Sequence, residues 1–456
     1  MMEIKDLISL ITQINKEVQD LNREIQEGWA EMNMMEIEQK HKEFSNKIAR
    51  MTLEYNLNVI ANQLDQSIKP TGMEFVSYRD RKIKTPFGEV KVRRRYYWNK
   101  EEGEGWAPFD EHMGIDGNYS PLMRSYMIIA GVESPFDRAA DIVNHLTGQD
   151  VSGKAVQLVC ERRGKEIEEE EKEKAQEAWQ VFEGPSCADA EKGKIQKNQK
   201  RWEEYMSDEK PKRFYLQVDG GRVNTRDGWK EPKVGVIFNQ EDKIQISKDR
   251  EVILNKEYIG TMEGVEQFEK LIWLKILQRG GLNAEEKVII SDGARWVDSR
   301  IAPLLPDSIQ ILDWAHAVEH LWDVGKVLYD EEEEREELER WEKELEELLW
   351  DGKVEEVIER LEKTKMEVRG RKKKEALEKL IGYYRYNKDK MRYDRYRKRG
   401  LMIGSGVIES GIKNVVNQRM KGCGMRWSKE GAESMIFLRC RYLSGSLLDE
   451  EVRMVA

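Results

Sequence analysis

What the 456-residue chain lacks narrows it first. It has no uninterrupted apolar run approaching the ~18 residues that a bilayer span requires. Its opening, MMEIKDLISLITQINKEVQD, carries charges where a secretory signal would carry a hydrophobic core. A membrane or exported protein is therefore not expected, and a cytoplasmic, nucleoid-associated one is. Cysteine is scarce: Cys160, Cys187, Cys423 and Cys440 are scattered, with no CxxC pair and no histidine at zinc-ligand spacing. That excludes a disulfide scaffold, and no zinc is expected. The turn Gly404-Ser405-Gly406 is not followed by a GxxxxGK[ST] pattern, which excludes a P-loop, and no organic cofactor is expected.

Positive charge is also short overall, with a formal net of −10, which looks wrong for a nucleic-acid binder. The deficit is local. Residues 330–360 hold 16 acidic against 5 basic residues, so the rest of the chain is close to neutral. Within that remainder, residues 71–98 carry 8 basic against 3 acidic residues and residues 371–399 carry 13 against 4. Both are candidate phosphate-contacting stretches.

What is present reads as several domains, since the length exceeds the ~250 to 300 residues at which one core stops growing. Residues 1–70 space Ile4, Leu7, Ile8, Ile11, Ile14, Val18 and Leu21 at helical intervals and predict a helical arm of one or two amphipathic helices. A short coiled coil is the alternative there. Over 71–118 the period falls to two around a Pro-Phe-Gly turn, predicting a basic β-hairpin. Its second strand sets Arg93, Arg94 and Arg95 before Tyr96, Tyr97 and Trp98, which fits either phosphate and base contact or a solvated strand with an aromatic edge.

Residues 119–182 are punctuated as helices by Ser120-Pro121, Ser134-Pro135, Gly148 and Ser152. Short helices about a glycine turn, the last with Lys154, Arg162 and Arg163, fit a DNA-binding helix-turn-helix and fit a plain three-helix bundle equally. A linker is expected over 183–212. From 213 to 320 strands alternate with helices, predicting an α/β sheet; residues 321–400 read as a highly charged helical insertion, and 401–456 complete the core.

Two of the predicted strands end in Asp-Gly, at Asp219 in QVDGG and Asp292 in IISDGA. A buried strand presents its last residue at the sheet rim, and two carboxylates sharing such a rim repel unless a cation lies between them. Asp-Gly is also a common turn, so each alone is a weak signal. In IGSGVIESGIKNVVNQRMKGCGMRWS, Ile408, Ile412, Val415 and Val416 mark a helix face with Glu409 at its edge. No other acid follows through Lys429, while Lys413, Arg419, Lys421 and Arg426 do, so the segment suits a phosphate backbone.

That string, with GVESPFDRAADIVNHLTG, FYLQVDGG, ISDGARW and ILDWAHAVEHLW, resembles the Kra group of bacterial insertion-sequence transposases in the RNase H-like DDE superfamily. The resemblance runs from about residue 75 onward, with its motifs in order. It implies an RNase H-like α/β catalytic domain with a large all-helical insertion, preceded by a mainly helical DNA-binding region with a β-hairpin. It implies Asp219, Asp292 and Glu409 as catalytic and metal-binding residues holding two Mg²⁺ or Mn²⁺ ions, as in two-metal phosphodiester chemistry. It also implies double-stranded DNA partners, both terminal inverted repeats and target, and a homodimer when two ends are synapsed. Asp313 and His316 in ILDWAHAVEH resemble the family's (C/D)-x-x-H element and carry a supporting or DNA-contacting expectation, against a capped helix with a satisfied histidine. Where many relatives carry a cysteine-rich knuckle, this chain reads NKEEGEGWAPFD. Two other outcomes stay open: a nuclease that cleaves without strand transfer, and a catalytically silent, domesticated DNA-binding protein.

Overall fold

A period-two run bounded by turn residues and a 3.6-period run with caps specify different elements, and the computed structural model contains both kinds where the spacing changes. It describes residues 4–68, 70–101, 103–115, 117–182, 205–247, 250–330 and 332–453. Cys187 and residues 183–204 of the expected linker lie outside them. Two compact units are present, Met1–Cys160 with Leu448–Ala456, and Glu161–Leu447. No helix among the described residues is long and apolar enough to cross a membrane.

In the first unit, α1 (Ile4–Gly28) turns back into α2 (Met34–Ser67), whose start is fixed by a capping box between Asn33 and Glu36. Strands β1 (Glu74–Thr85) and β2 (Gly88–Asn99) form the expected hairpin, closed by a two-residue turn with Thr85 opposite Gly88. A short β3 (Glu104–Trp106) adds to β2, and α3 (Pro108–His112) follows. Ile83, Val90 and Val92 of the hairpin pack with Leu57 and Ala61 of α2 and Phe109 of α3. Helices α4 (Pro121–Glu133), α5 (Phe136–Thr147) and α6 (Gly153–Phe182) start and stop at the punctuation read from sequence. Ser120 caps α4, and Gly148 ends α5 at φ 70°, a left-handed conformation suited to glycine.

One boundary differs. The division between units falls inside α6, not in residues 183–212. Val156, Cys160, Ile167, Ala175 and Ala178 keep one face of this 30-residue helix buried, so its charged remainder is a solvated face, and the helix runs to Phe182, where the linker was expected to begin.

The second unit is built on a five-stranded sheet of β4 (Arg213–Gly220), β7 (Lys233–Asn239), β10 (Glu257–Thr261), β11 (Glu286–Ser291) and β12 (Ile309–Leu312), ordered β10-β7-β4-β11-β12. The first three run antiparallel; β11 and β12 run parallel to β4. Two small hairpins, β5 (Val223–Thr225) with β6 (Gly228–Lys230) and β8 (Lys243–Ser247) with β9 (Arg250–Ile253), stand outside it. Successive strand residues face opposite ways. Gly235 approaches Phe268 and Ile272 of α7 (Val265–Gln278), whereas Val236 meets Gly411 of α13 (Gly406–Ile412), so helices cover both faces. Gly260 admits Ile436 and Cys440 of α14 (Lys429–Leu443) on the α13 side. After β12 come α8 (Trp314–Leu328) and then the expected helical insertion: α9 (Arg335–Trp350), α10 (Val354–Glu367), α11 (Arg371–Asn387) and the short α12 (Tyr393–Lys398).

Candidate metal centre and nucleic-acid interface

The register of the central strands sets the site. Parallel β4 and β11 pair Gln217 with Ile290 as the last pair of their register; two residues on come Asp219, still within β4, and Asp292, one residue past the end of β11. A step of two keeps Asp219 on the face that Gln217 occupies. That face carries α13, because fully buried Gln217 latches it: its Oε1 accepts from the Ile408 N–H (3.0 Å) and its Nε2 donates to the Gly404 carbonyl (3.4 Å). Glu409, the next residue, then shares an open cleft of about 770 Å³ with Asp219, His316, Glu319 and Trp322. Asp292 lines a neighbouring cavity of about 470 Å³ with Arg295, Lys379 and Tyr383.

Asp313 ties these parts together. It is fully buried at the N-terminus of α8; its Oδ2 accepts from the His316 backbone N–H (3.0 Å) and lies 2.7 Å from His316 Nδ1, and its Oδ1 accepts from the Ser405 N–H (2.7 Å). Burial alone would raise this carboxyl, but hydrogen bonds from His316 and Ser405 outweigh it and hold Asp313 below the ordinary carboxylate range. The Asp313 hydrogen bond, opposed by burial and aided by the charges of Asp313, Asp219 and Asp292, pushes His316 up to about 9. Asp219 is raised by burial first and by the charge of Asp292, against the Gly220 N–H (2.6 Å), His316 and Lys233.

This is the electrostatics of a carboxylate rim that favours a cation. His316 supplies positive charge itself, with Nδ1 committed to Asp313. Oxygen donors on Asp219, Asp292 and Glu409 suit a hard divalent ion. Among the described residues the ligand atoms that lie within 4.8 Å of one another here are those of Asp313, His316 and Glu409; Asp219, Asp292 and Glu409 do not form such a group. Both Asp313 oxygens are already accepting hydrogen bonds, however, so Asp313 positions its neighbours more readily than it ligates. A second acidic group, Glu168, Glu263 and Glu433, surrounds the Lys172 ammonium at 2.7, 2.8 and 3.2 Å, and that internal cation already balances it.

The insertion buttresses this rim from residues that sequence reasoning missed. Three tyrosine hydroxyls donate to backbone carbonyls at the sheet edge and α8: Tyr383 to Asp292 (2.7 Å), Tyr384 to Ala317 (2.7 Å) and Tyr393 to Leu312 (3.1 Å); the Tyr396 hydroxyl is shared between the carbonyls of Asp389 (3.1 Å) and Gln310 (3.4 Å). Buried Asn387 sits against Gly293, where a Cβ would approach its side chain to 2.8 Å and φ is 80°.

The expected phosphate contacts divide. Lys413, Lys421 and Arg426 are exposed, and the loop bearing the last two is held by buried Trp427, whose Nε1 donates to the Met420 carbonyl and whose N–H donates to Asn224. Arg419 is only 1 % exposed and lies over the Trp427 ring, so it is withdrawn from that set. On the hairpin Arg93 is exposed beside Tyr78, while Arg95 bonds the Tyr78 hydroxyl and the Asp65 carbonyl. Arg94 is buried and makes a bidentate pair with Asp110 at 2.6 Å, so it too is corrected: it braces the fold. Lys154 bonds Gln157, Arg163 pairs with Glu166, and Arg162 is exposed. Of the second basic stretch, Arg392 pairs with Glu355, and Tyr393 and Tyr396 are buried.

Residues 27–182 match the model of an uncharacterised protein family, UPF0236. The chain is also similar to a protein described as "UPF0236 protein in vanSb 3'region" from Streptococcus gallolyticus, 22% identical over 410 residues, which cover 88% of this chain and 80% of that protein.

Proposed function

We propose that this chain is a metal-dependent DNA-cleaving and strand-transferring enzyme of transposase type, with an RNase H-like catalytic unit. One observation carries the reading: parallel β4 and β11 carry Asp219 and, one residue past the strand end, Asp292 to the same edge of the sheet, and Asp219 shares a cleft with Glu409 of the Gln217-latched helix. The strand order, three antiparallel strands continued by two parallel ones, supports the RNase H-like fold, and the helical segment between Asp292 and Glu409 supports the inserted DDE arrangement that the motifs resemble.

In this reading Asp219, Asp292 and Glu409 hold divalent ions, Mg²⁺ or Mn²⁺. Such ions supply activation of the attacking oxygen and stabilisation of the leaving one. The chain's own groups do the rest. Asp313 fixes the His316 ring, whose charge offsets the crowded carboxylates. Tyr383 and Asn387 fix the Asp292-Gly293 turn. Lys413, Lys421 and Arg426 offer exposed charge to a phosphate backbone.

The experiment is strand cleavage and strand joining on duplex DNA bearing the inverted repeats that flank the reading frame, with Mg²⁺, comparing the wild type with Glu409→Gln. Loss of both activities in the variant, with duplex binding kept, is expected. Full cleavage by Glu409→Gln would overturn the assignment, and cleavage without joining by the wild type would reduce the protein to a nuclease.

A further inference from the structure

The cavity beside Asp292 does not end at the strand. It shares His320, Lys379 and Tyr383 with a second cavity of about 510 Å³, so the two join into one groove along the seam between α8 and α11. The helices meet beneath it, where the Tyr384 hydroxyl reaches the Ala317 carbonyl and the His320 and Tyr383 rings lie 4.6 Å apart. Lys372, Lys379, Gly382, Tyr383 and Tyr386 line the α11 wall, three, four or seven residues apart, and so share one face of that helix. At 1.5 Å per residue this face extends about 21 Å from Lys372 to Tyr386.

The lining says what the groove takes. Among the described residues Arg295, Lys372 and Lys379 pair with no carboxylate, whereas Lys365, Arg385 and Arg392 of the insertion pair with Glu378, Glu362 and Glu355. Of the acids along the groove, Glu375 is engaged by Arg371 and Asp292 belongs to the rim, which leaves Asp323. Tyr386 is 45% exposed, and its hydroxyl is tied to Asp298 at 2.6 Å, so its ring stands fixed in the wall. Gly382 lies inside a helix, where glycine is destabilising relative to alanine. Its φ is not left-handed and a Cβ there would meet nothing within 4 Å, so neither the backbone nor the packing calls for glycine. The missing side chain leaves open floor beside Lys379 and Tyr386, where a ligand's chain can lie against the helix. Free cations for phosphates beside an aromatic ring for bases suit a nucleic-acid strand. Packed helices stand about 8 to 10 Å apart. The seam therefore holds one strand and not a duplex, whose major groove alone spans about 12 Å.

We infer that this groove takes an unpaired DNA strand, with phosphates on Arg295, Lys372 and Lys379 and a base against Tyr386, and leads it to Asp292. The choice of DNA rests on the nuclease reading. The preference for a single strand rests on the groove alone and is read without cleavage.

Fluorescence anisotropy of the full chain in EDTA tests it, using a blunt duplex and the same duplex with a single-stranded overhang of either polarity. The overhang has about six nucleotides, the length that ~21 Å holds at ~3.4 Å per stacked nucleotide. The wild type is expected to bind one overhang DNA about tenfold more tightly than the blunt duplex. Gly382→Leu, which raises helix propensity while filling the floor, should erase that preference and keep the blunt-duplex affinity and the unfolding midpoint. A second arm does not depend on that variant: Lys379→Gln should reduce the salt slope of overhang binding by about 0.7, and Lys374→Gln, exposed and outside the groove, should not. Equal wild-type affinity for blunt and overhang DNA, a Gly382→Leu chain that keeps the preference, or equal slopes for the two lysine variants would overturn the groove. If the preference and its loss are seen in a chain that cleaves nothing with Mg²⁺, the groove stands and the nuclease reading falls.

Discussion

The Tyr383 hydroxyl donates a 2.7 Å hydrogen bond to the backbone carbonyl of Asp292, so the helical insertion holds the strand end that carries a candidate catalytic carboxylate. Removing the hydroxyl as Tyr383→Phe should cost stability by only about 1 kcal/mol, because the ring stays packed against His320 and Tyr384. Its effect on metal affinity should be larger, about tenfold or more, as for other groups that orient a ligand without touching the ion. Titration calorimetry with Mn²⁺ on wild type and Tyr383→Phe checks this; equal affinities would reduce Tyr383 to packing.

Gln217 is a polar side chain with no exposure in the middle of an otherwise apolar strand. Gln217→Leu keeps the volume but leaves the buried Ile408 N–H unsatisfied, which should destabilise the second unit by about 1 to 3 kcal/mol. Urea denaturation should show the lower midpoint, and hydrogen exchange should show faster loss of protection at residues 404–409. Unchanged exchange there would mean that the latch does not hold α13.

The His316 imidazole should keep its proton to about pH 9 in the metal-free protein. The sign follows directly: its folded value lies above the ordinary 6.5, so the interaction contributes fully below about 6.5 and is lost as pH rises through 9. Asp313→Asn should bring the titration down toward neutrality. The chain has five histidines, so NMR titration with single-histidine substitutions for assignment can follow His316 individually. A midpoint near 6.5 in the wild type would contradict the Asp313 pairing.

Arg94 should matter to folding and not to DNA. Replacing it with methionine leaves Asp110 without its bidentate partner, and since Asp110 retains some exposure the cost should fall near 3 kcal/mol, the low end for a broken buried pair. Arg93→Met should leave the denaturation midpoint within about 0.5 kcal/mol, as for an ordinary surface change. Equal destabilisation by both would show that burial does not separate them.

Much of this was legible in the chain. Strand ends next to Asp219 and Asp292 follow from apolar runs closed by Asp-Gly, and the cap at Ser120, the helix break at Ser134-Pro135 and the stop at Gly148 are local signals that local geometry obeys. The inward turn of Arg94 was also readable, since it shares parity with Val90 and Val92, and Arg419 continues the stripe of Ile412, Val415 and Val416. At both positions periodicity, not charge, decides which way the side chain turns. The tyrosine buttress was not legible: Tyr383 and Asp292 stand 91 residues apart, and nothing in RYNKDKMRYDRYRKRG distinguishes the exposed Tyr386 from the buried Tyr393. Gln217 was the missed clue, because an amide inside FYLQV has to be satisfied by something, and here that is the Glu409 helix.

If Asp219, Asp292 and Glu409 form one metal centre, Mn²⁺ should occupy it. Anomalous diffraction from crystals soaked in Mn²⁺ tests it most directly. A peak is expected within coordination distance of the Asp219 and Asp292 carboxylates, with Glu409 as a further ligand, and it should be lost in Asp292→Asn. A peak only between Asp313 and His316, only within the Glu168, Glu263 and Glu433 group, or nowhere on this rim would contradict it.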